Sequence, residues 1–357
     1  MHTVMPSRRT TIRAGAAVAA AAGLLVPLTA TGNAAQVPSA SAAMAPSGIR
    51  TISSGWNNPW GVSWLPDGSA LINERDSRKI FKVTRSGART QVPTDVTAFR
   101  SGDSLLGIAV SPDWRQDHHV FVYHGAKDGI RVARMTYDGA RLTGYKKLVT
   151  GIKRGLHNGG RIKFGPDGFL YVTTGDADKA GDAQDRNSLN GKILRMTKDG
   201  RPAPGNPFGT LVYSYGHRNP EGIAWDAQGR LWETEIGNST YDELNRIRPG
   251  GNYGWPACEG TCAKAGLTDP ERKWHPADAV PSGLAHADGA LYAAALRGQR
   301  LWRVPVAGLH AGTPVAYYTK GFGRLRDVVK VPGRNALWIT TDKAGKNADR
   351  VLQVELK

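Results

Sequence analysis

One strand–turn–strand phrase recurs six times between Pro46 and Lys357, and it restricts the fold more tightly than any other feature of the chain. It reads GVSWLPDGSALINER from Gly61, GIAVSPDW from Gly107 with HVFVYHG after it, and RIKFGPDGFLYVTTGD from Arg161. It returns as GIAWDAQGRLWETEIG from Gly222, GLAHADGALYAAAL from Gly283 and DVVKVPGRNALWITTD from Asp327. Each copy is an alternating apolar strand, a turn and a second apolar strand. The residues between copies supply two more strands and the longer loops. Four-stranded units recurring at intervals of roughly 45 to 60 residues predict an all-β fold, a six-bladed β-propeller over residues 44–357. Two β-sandwiches would be the rival, but they give no reason for one phrase to recur six times. The terminal run Val351 to Leu356 is expected to pair with an early segment, Gly48 to Ser53, and close the ring. Tryptophans at strand positions (Trp64, Trp225, Trp232, Trp302, Trp338) read as packing between blades.

Residues 1–43 stand outside this repeat. Arg8 and Arg9 precede an apolar Ala/Gly/Leu/Val run, and small residues follow at Ser41-Ala42-Ala43. That is the order of an export signal, and the paired arginines suggest the twin-arginine route; an ordinary secretory signal is the alternative. The apolar run is too Ala/Gly-rich for a retained anchor, so no stable membrane insertion is expected after signal removal. Formal charge is +17; Arg8, Arg9 and Arg13 lie in the leader, leaving +14 on the mature chain. The basic residues are scattered rather than gathered into a stripe with aromatics, which argues against a nucleic-acid partner. Cys258 and Cys262, in CEGTC, are the only cysteines. In an oxidising compartment they read as a short-loop disulfide.

The candidate chemistry gathers in Leu156 to Ala177. His157 precedes Gly159-Gly160-Arg161, and a hairpin follows that returns the chain at Gly175-Asp176. A hairpin brings its ends to the same edge, so His157 and Asp176 become candidate neighbours, and a carboxylate beside an imidazole fixes its tautomer and raises its basicity. Two further segments, Ser214 to Gly222 and Glu235 to Pro256, are long, polar and rich in Gly and Asn. They are expected as rim loops, where function collects on a rigid scaffold. Asp242 and Glu243 there offer oxygen ligands for calcium, or form a solvated acidic turn.

Taken together, HNGGRIKFGPDG, YGHRNPEG, DELNRIRPGGNYGWP and GRLRD resemble the soluble pyrroloquinoline quinone (PQQ) dependent glucose/sorbosone dehydrogenase family, most of all its aldose sugar dehydrogenases with short loops. The resemblance covers nearly the whole mature chain, and the family's fold is a six-bladed propeller. It implies that His157 is the base taking the proton from a sugar's anomeric hydroxyl while hydride passes to the quinone C5, and that Asp176 orients and polarises that base. Arg218 and Asn219 match cofactor contacts, with Arg218 near the reacting carbonyl. Arg324 and Arg326 match arginines that bind the cofactor's carboxylates, and Arg297 replaces a lysine with the same charge. Gly237 and Asn238 fall where backbone carbonyls hold the cofactor-bound calcium, although the second position is proline in the best-known member. Glu243 and Tyr253, the latter through its carbonyl, match a further structural calcium site.

Two departures bear on specificity. Leu156 stands where the best-known glucose oxidiser has aspartate, and Gly102-Asp103 stand where it has a glutamine contacting substrate and cofactor. The resemblance therefore implies PQQ- and calcium-dependent oxidation of an aldose, with electrons leaving to a soluble or artificial acceptor outside the cytoplasm. A calcium-dependent sugar lactonase and a non-catalytic binding propeller of the same family remain alternatives. The first would want acidic side chains converging on the axis, the second the loss of His157 or the arginines.

Overall fold

The computed structural model describes residues 44–94 and 104–357. The leader in residues 1–43 and the Gly102-Asp103 departure lie outside them. The chain opens with β1 (Pro46–Trp56) and then builds a blade from β2 (Pro59–Trp64), β3 (Ala70–Glu74), β4 (Ile80–Val83) and β5 (Arg89–Val92). The second blade is β6 (Leu105–Val110), β7 (His119–Ala126), β8 (Gly129–Tyr137) and β9 (Leu142–Ile152). The third is β10 (Ile162–Phe164), β11 (Leu170–Thr174), β12 (Lys192–Met196) and β13 (Val212–Tyr215). The fourth is β14 (Pro220–Trp225), β15 (Leu231–Glu235), β16 (Asp242–Ile247) and β17 (Arg272–Trp274). The fifth is β18 (Pro281–Ala287), β19 (Ala290–Ala295) and β20 (Arg300–Ala307), edged by β21 (His310–Ala311) and β22 (Val315–Tyr317). In the sixth, β23 (Arg324–Lys330), β24 (Ala336–Asp342) and β25 (Asp349–Leu356) are joined at the outer edge by β1. The protein is a six-bladed β-propeller, as the repeat requires.

Closure follows the expected pairing, with Ile49 opposite Val354, Thr51 opposite Leu352 and Ser53 opposite Val351. The first strand thereby supplies the outermost strand of the last blade. Both apolar faces of most blades are covered by their neighbours, so the core is a set of inter-blade layers. Trp56 and Trp338 lie with Val62 and Ile72 in the layer that seals the ring.

The first strand of each repeat is the innermost, and the glycine that opens the phrase in four of the six copies has a steric cause. A Cβ at Gly107 would lie 2.3 Å from the Gly160 carbonyl oxygen, and one at Gly222 2.2 Å from that of Ser282. Neighbouring inner strands approach there with backbone against backbone, which only glycine permits. Pairing registers shift near the same place in β2, β6, β14, β18 and β23. Such bulges bend the strand and re-aim the residues before it. A buried charge pair also ties three blades together. Asp327 Oδ2 accepts from Arg161 Nη1 at 3.0 Å and from the Val62 backbone N–H at 3.1 Å. The Cys258–Cys262 disulfide is formed. No helix among the described residues is long and apolar enough to cross a membrane.

Candidate active site

Antiparallel pairing places the beginnings of inner strands beside the ends of second strands, so loops there share one end of the ring. His157 precedes β10, and Asp176 follows β11. The two meet as the hairpin predicts, with His157 Nδ1 2.9 Å from Asp176 Oδ1. Asp178 Oδ1 stands 3.3 Å from the same nitrogen, so two carboxylates call for Nδ1 to carry the hydrogen and leave Nε2 with its lone pair. Asp176 is almost fully buried, and its second oxygen accepts from the Trp255 indole at 2.8 Å. Burial alone would raise this carboxyl, but hydrogen bonds from His157, Trp255 and the Asp178 backbone outweigh it and hold the group below its ordinary value.

Arg218 completes the line from the loop before β14. Its Nη2 donates to His157 Nε2 at 2.9 Å, and its Nη1 donates to the Gly237 carbonyl at 2.6 Å. Nη2 also reaches Asn238 Oδ1 at 3.2 Å, and the guanidinium lies 5.5 Å from the Trp255 ring centre. Asn219 Oδ1 accepts from the Gly159 backbone N–H at 2.9 Å, which pins the loop carrying the histidine. Glu235, at the end of β15, orders this segment: its Oε1 accepts the backbone N–H groups of Arg218 and Asn219, and its Oε2 pairs with His217 Nδ1 at 2.8 Å.

Arg324 and Arg326 open β23 and share one carboxylate. Asp342 accepts from Arg324 Nε at 2.9 Å and from Arg326 Nη2 at 3.2 Å, and together they hold it below its ordinary value although burial pushes it up. Arg326 Nη1 lies 3.8 Å from Glu221, two residues beyond Asn219, and its guanidinium is 5.9 Å from the Trp60 ring that Arg161 covers from 4.1 Å. The two arginines thus face Asp342 and, at longer range, Glu221. Among the described residues Nε is the only nitrogen of the half-exposed Arg324 guanidinium that is engaged, which leaves N–H groups for an anionic cofactor. His157, Arg218 and Asn219 thus belong to one hydrogen-bonded cluster, and Arg324 and Arg326 to a second whose reach toward it is the approach of Arg326 to Glu221. Arg297 joins neither: it is exposed in the turn after β19, where its charge bears on Asp242.

Of the expected metal ligands, Gly237, Glu243 and Tyr253 line one small cavity with Arg218 and Glu235, and Asn238 stands beside it on Arg218. The register pairs Glu235 with Glu243 and Glu233 with Asn245. Three glutamates therefore converge on one face. Burial, then the neighbouring Glu235 carboxylate, pushes Glu243 up to about 8, and Glu233 is raised by the same two causes. Glu233 Oε1 and Asn245 Oδ1 are buried with no hydrogen-bond partner. Converging carboxylates and unsatisfied oxygens fit a hard cation such as calcium. Asp242 does not belong to this set. Its oxygens are taken by the Gly237 and Val280 backbone N–H groups, while burial lifts it to about 6.

Sequence reasoning missed Asp178, Trp255, His217, Glu233 and Glu235. The signal for the last two was present: glutamates at alternate positions of WETE, in a strand whose every residue is buried. Leu156, beside the base, is 80% exposed, and its backbone N–H donates to Asp178 at 2.6 Å.

Comparison with known proteins identifies the family. The family model described as Glucose / Sorbosone dehydrogenase matches residues 56–352. The chain belongs to the glucose/sorbosone dehydrogenase family. Within that setting it is similar to the PQQ-bound aldose sugar dehydrogenase of Streptomyces coelicolor, at 44% identity and a TM-score of 0.83, over 88% of this chain and 100% of that one. It is 30% identical over 251 residues to quinoprotein glucose dehydrogenase B of Acinetobacter calcoaceticus, covering 59% of this chain and 52% of that protein. It is 27% identical over 253 residues to the aldose sugar dehydrogenase YliI of Escherichia coli, covering 65% and 68%. Membership supports an oxidoreductase of the quinoprotein type.

Proposed function

We propose that this member of the family is a PQQ- and calcium-dependent dehydrogenase that oxidises an aldose at the anomeric carbon to its lactone. The observation that carries the reading is the line Asp176, His157, Arg218: a buried carboxylate on Nδ1, a lone pair on Nε2 and a guanidinium beside it. The residues that would hold PQQ are Arg218, Asn219, Arg324 and Arg326, and Arg297 would add a further positive charge. Those that would hold calcium are Gly237 and Asn238 near the cofactor, and Glu243 with the Tyr253 carbonyl deeper in the fourth blade. When bound, PQQ supplies the two-electron acceptor for the anomeric hydride, and calcium supplies the Lewis acid that polarises it.

The chain's own part is proton transfer and charge placement. His157 Nε2 takes the anomeric hydroxyl proton, and the negative charge of Asp176 stabilises the imidazolium that results. Arg218, which donates to Nε2 in the resting arrangement, yields that lone pair to the hydroxyl and turns its charge toward the oxygen that becomes negative. Export of residues 44–357 by the twin-arginine route, and release of electrons to a soluble acceptor outside the cytoplasm, complete the proposal.

The test is reconstitution of the purified protein with PQQ and calcium, followed by redox-dye reduction over a panel of aldoses and, in parallel, lactone hydrolysis. Dye reduction is expected with at least one aldose, and His157→Ala should abolish it while PQQ stays bound. PQQ binding with no dye reduction by any aldose would refute catalysis, and lactone hydrolysis without PQQ would favour a lactonase.

A further inference from the structure

The end of the ring opposite His157 holds a cavity that the dehydrogenase reading leaves unused. It measures 650 Å³, within the range that accommodates a small ligand. The repeat explains its walls. Trp64, Val110, Phe164, Trp225, His286 and Lys330 occupy the same place in the six copies of the phrase, at or near the end of each inner strand, and all six line the cavity. The preceding position is Ser, Ala or Val in five strands and Lys163 in the sixth, and these too line it.

Three of the rings at this level are braced from behind. Trp64 lies 4.5 Å from the Trp338 ring, Phe164 5.1 Å from Phe121 and Trp225 5.0 Å from Tyr171. Trp114, at the start of the short helix Trp114–Asp117 after β6, adds a fourth ring 6.0 Å from Tyr137. Rigid rings around a ligand-sized space bind flat apolar groups at small entropic cost.

The charges around it have one sign. No Asp or Glu lines the cavity among the described residues, whereas Lys163, Arg85 and Lys330 do. Lys163 Nζ donates to the Leu284 carbonyl at 2.8 Å, and Arg85 donates to the Gly68 and Pro332 carbonyls. Their hydrogen-bond partners are thus neutral, and the carboxylate that bears on Lys163, Asp327, is itself paired with Arg161. Burial pushes the Lys163 ammonium down to about 8, a cost that an anion beside it would offset.

We propose that this cavity is a second binding site, selective for a small aromatic anion whose ring lies among Trp64, Phe164 and Trp225 and whose carboxylate or sulfonate is drawn to Lys163 and Arg85. The site is independent of the PQQ reading, because none of its walls belongs to the His157 network.

The probe is 1-anilinonaphthalene-8-sulfonate, titrated by fluorescence into the folded full chain with and without saturating PQQ and calcium. One probe per chain should bind in both conditions. The neutral N-phenyl-1-naphthylamine should bind more weakly. Lys163→Met, which keeps the apolar stem, should weaken the sulfonate by about tenfold and leave the neutral probe unchanged. Arg85→Glu, at an exposed position, should weaken the sulfonate in the same sense even if Lys163→Met fails to fold. Displacement of the probe by PQQ, equal affinity for both probes, unchanged sulfonate affinity in both variants, or no binding at all would each overturn the proposal.

Discussion

Replacing Asp176 with asparagine tests the reasoning about the base at its narrowest point. In the wild type Oδ1 accepts from His157 Nδ1 at 2.9 Å and from the Asp178 backbone N–H at 3.0 Å, while Oδ2 accepts from the Trp255 indole at 2.8 Å. An amide has one acceptor oxygen where the carboxylate has two. With its oxygen at the Oδ1 position, the new NH₂ faces the indole N–H, and two donors oppose each other in a buried place. With the amide flipped, the NH₂ faces Nδ1, which must surrender its hydrogen. The proton then moves to Nε2, the nitrogen that has to act as base. The first arrangement leaves the Trp255 indole unpaired and the second the Asp178 backbone N–H, at about 1–3 kcal/mol of stability for the more buried of the two. The effect on turnover is larger, since the charge that stabilises the imidazolium is lost as well: Asp176→Asn should lower kcat about 10²–10⁴-fold with little change in PQQ affinity. Steady-state dye reduction gives the rate, and nitrogen chemical shifts of the imidazole give the tautomer. Asp178, 3.3 Å from Nδ1, should retain part of the orientation, so Asp176→Asn/Asp178→Asn should fall further than the single variant. A single variant within about tenfold of wild type, with hydrogen still on Nδ1, would refute the role assigned to Asp176.

Three further outcomes follow from the scaffold and the acidic cluster. Gly222→Ala, whose Cβ would lie 2.2 Å from the Ser282 carbonyl oxygen, should cost about 1–3 kcal/mol in thermal unfolding. Gly181→Ala, with nothing within 4 Å of the new methyl, should be close to neutral, and equal costs would contradict the close-approach argument. Arg161→Met strands the buried Asp327 carboxylate and should cost about 3–5 kcal/mol, part of which Asp327→Asn in the same chain should restore; a double variant no more stable than the single would sever the link. Glu243 and Glu233 hold protons in the cation-free folded chain that the unfolded chain releases at their ordinary range, so stability should fall as pH rises from near 4.5 toward 8. Calcium, which binds the ionised form, should raise the thermal midpoint more at pH 8 than at pH 5, and equal shifts at both would count against a cation in the cluster.

The ring was legible in the sequence because each inner strand must alternate, turn and admit its neighbour's backbone, three demands that leave Gly61, Gly107, Gly222 and Gly283 in the same place. The meeting of His157 with Asp176 was legible for a related reason, since both flank one hairpin. Contacts between blades were not. Nothing local joins Trp255 to Asp176, or Arg326 to Glu221, because those pairs are made by the bend of each blade about the axis. Glu233 and Glu235 were overlooked because a charged residue in a strand is ordinarily assigned to a solvated face; here the register with Glu243 and Asn245 turns them inward. Arg297 shows the converse. Its charge was read from a matching position in the family, and its turn leaves it exposed with that charge bearing on Asp242.

The way the circle is fastened sets how the molecule can be joined to anything else. The Ala45 backbone N–H bonds the Lys357 carbonyl, and the Lys357 N–H bonds that of Ala45, so Ala45 and Lys357 sit side by side on the outer circumference. A tether or fusion placed at Ala45 or at Lys357 departs from the perimeter and leaves both axial mouths clear. Linking the two ends and cutting between other blades should give a circular permutant, whereas trimming β1 strips the belt from its buckle and exposes the edge of β25.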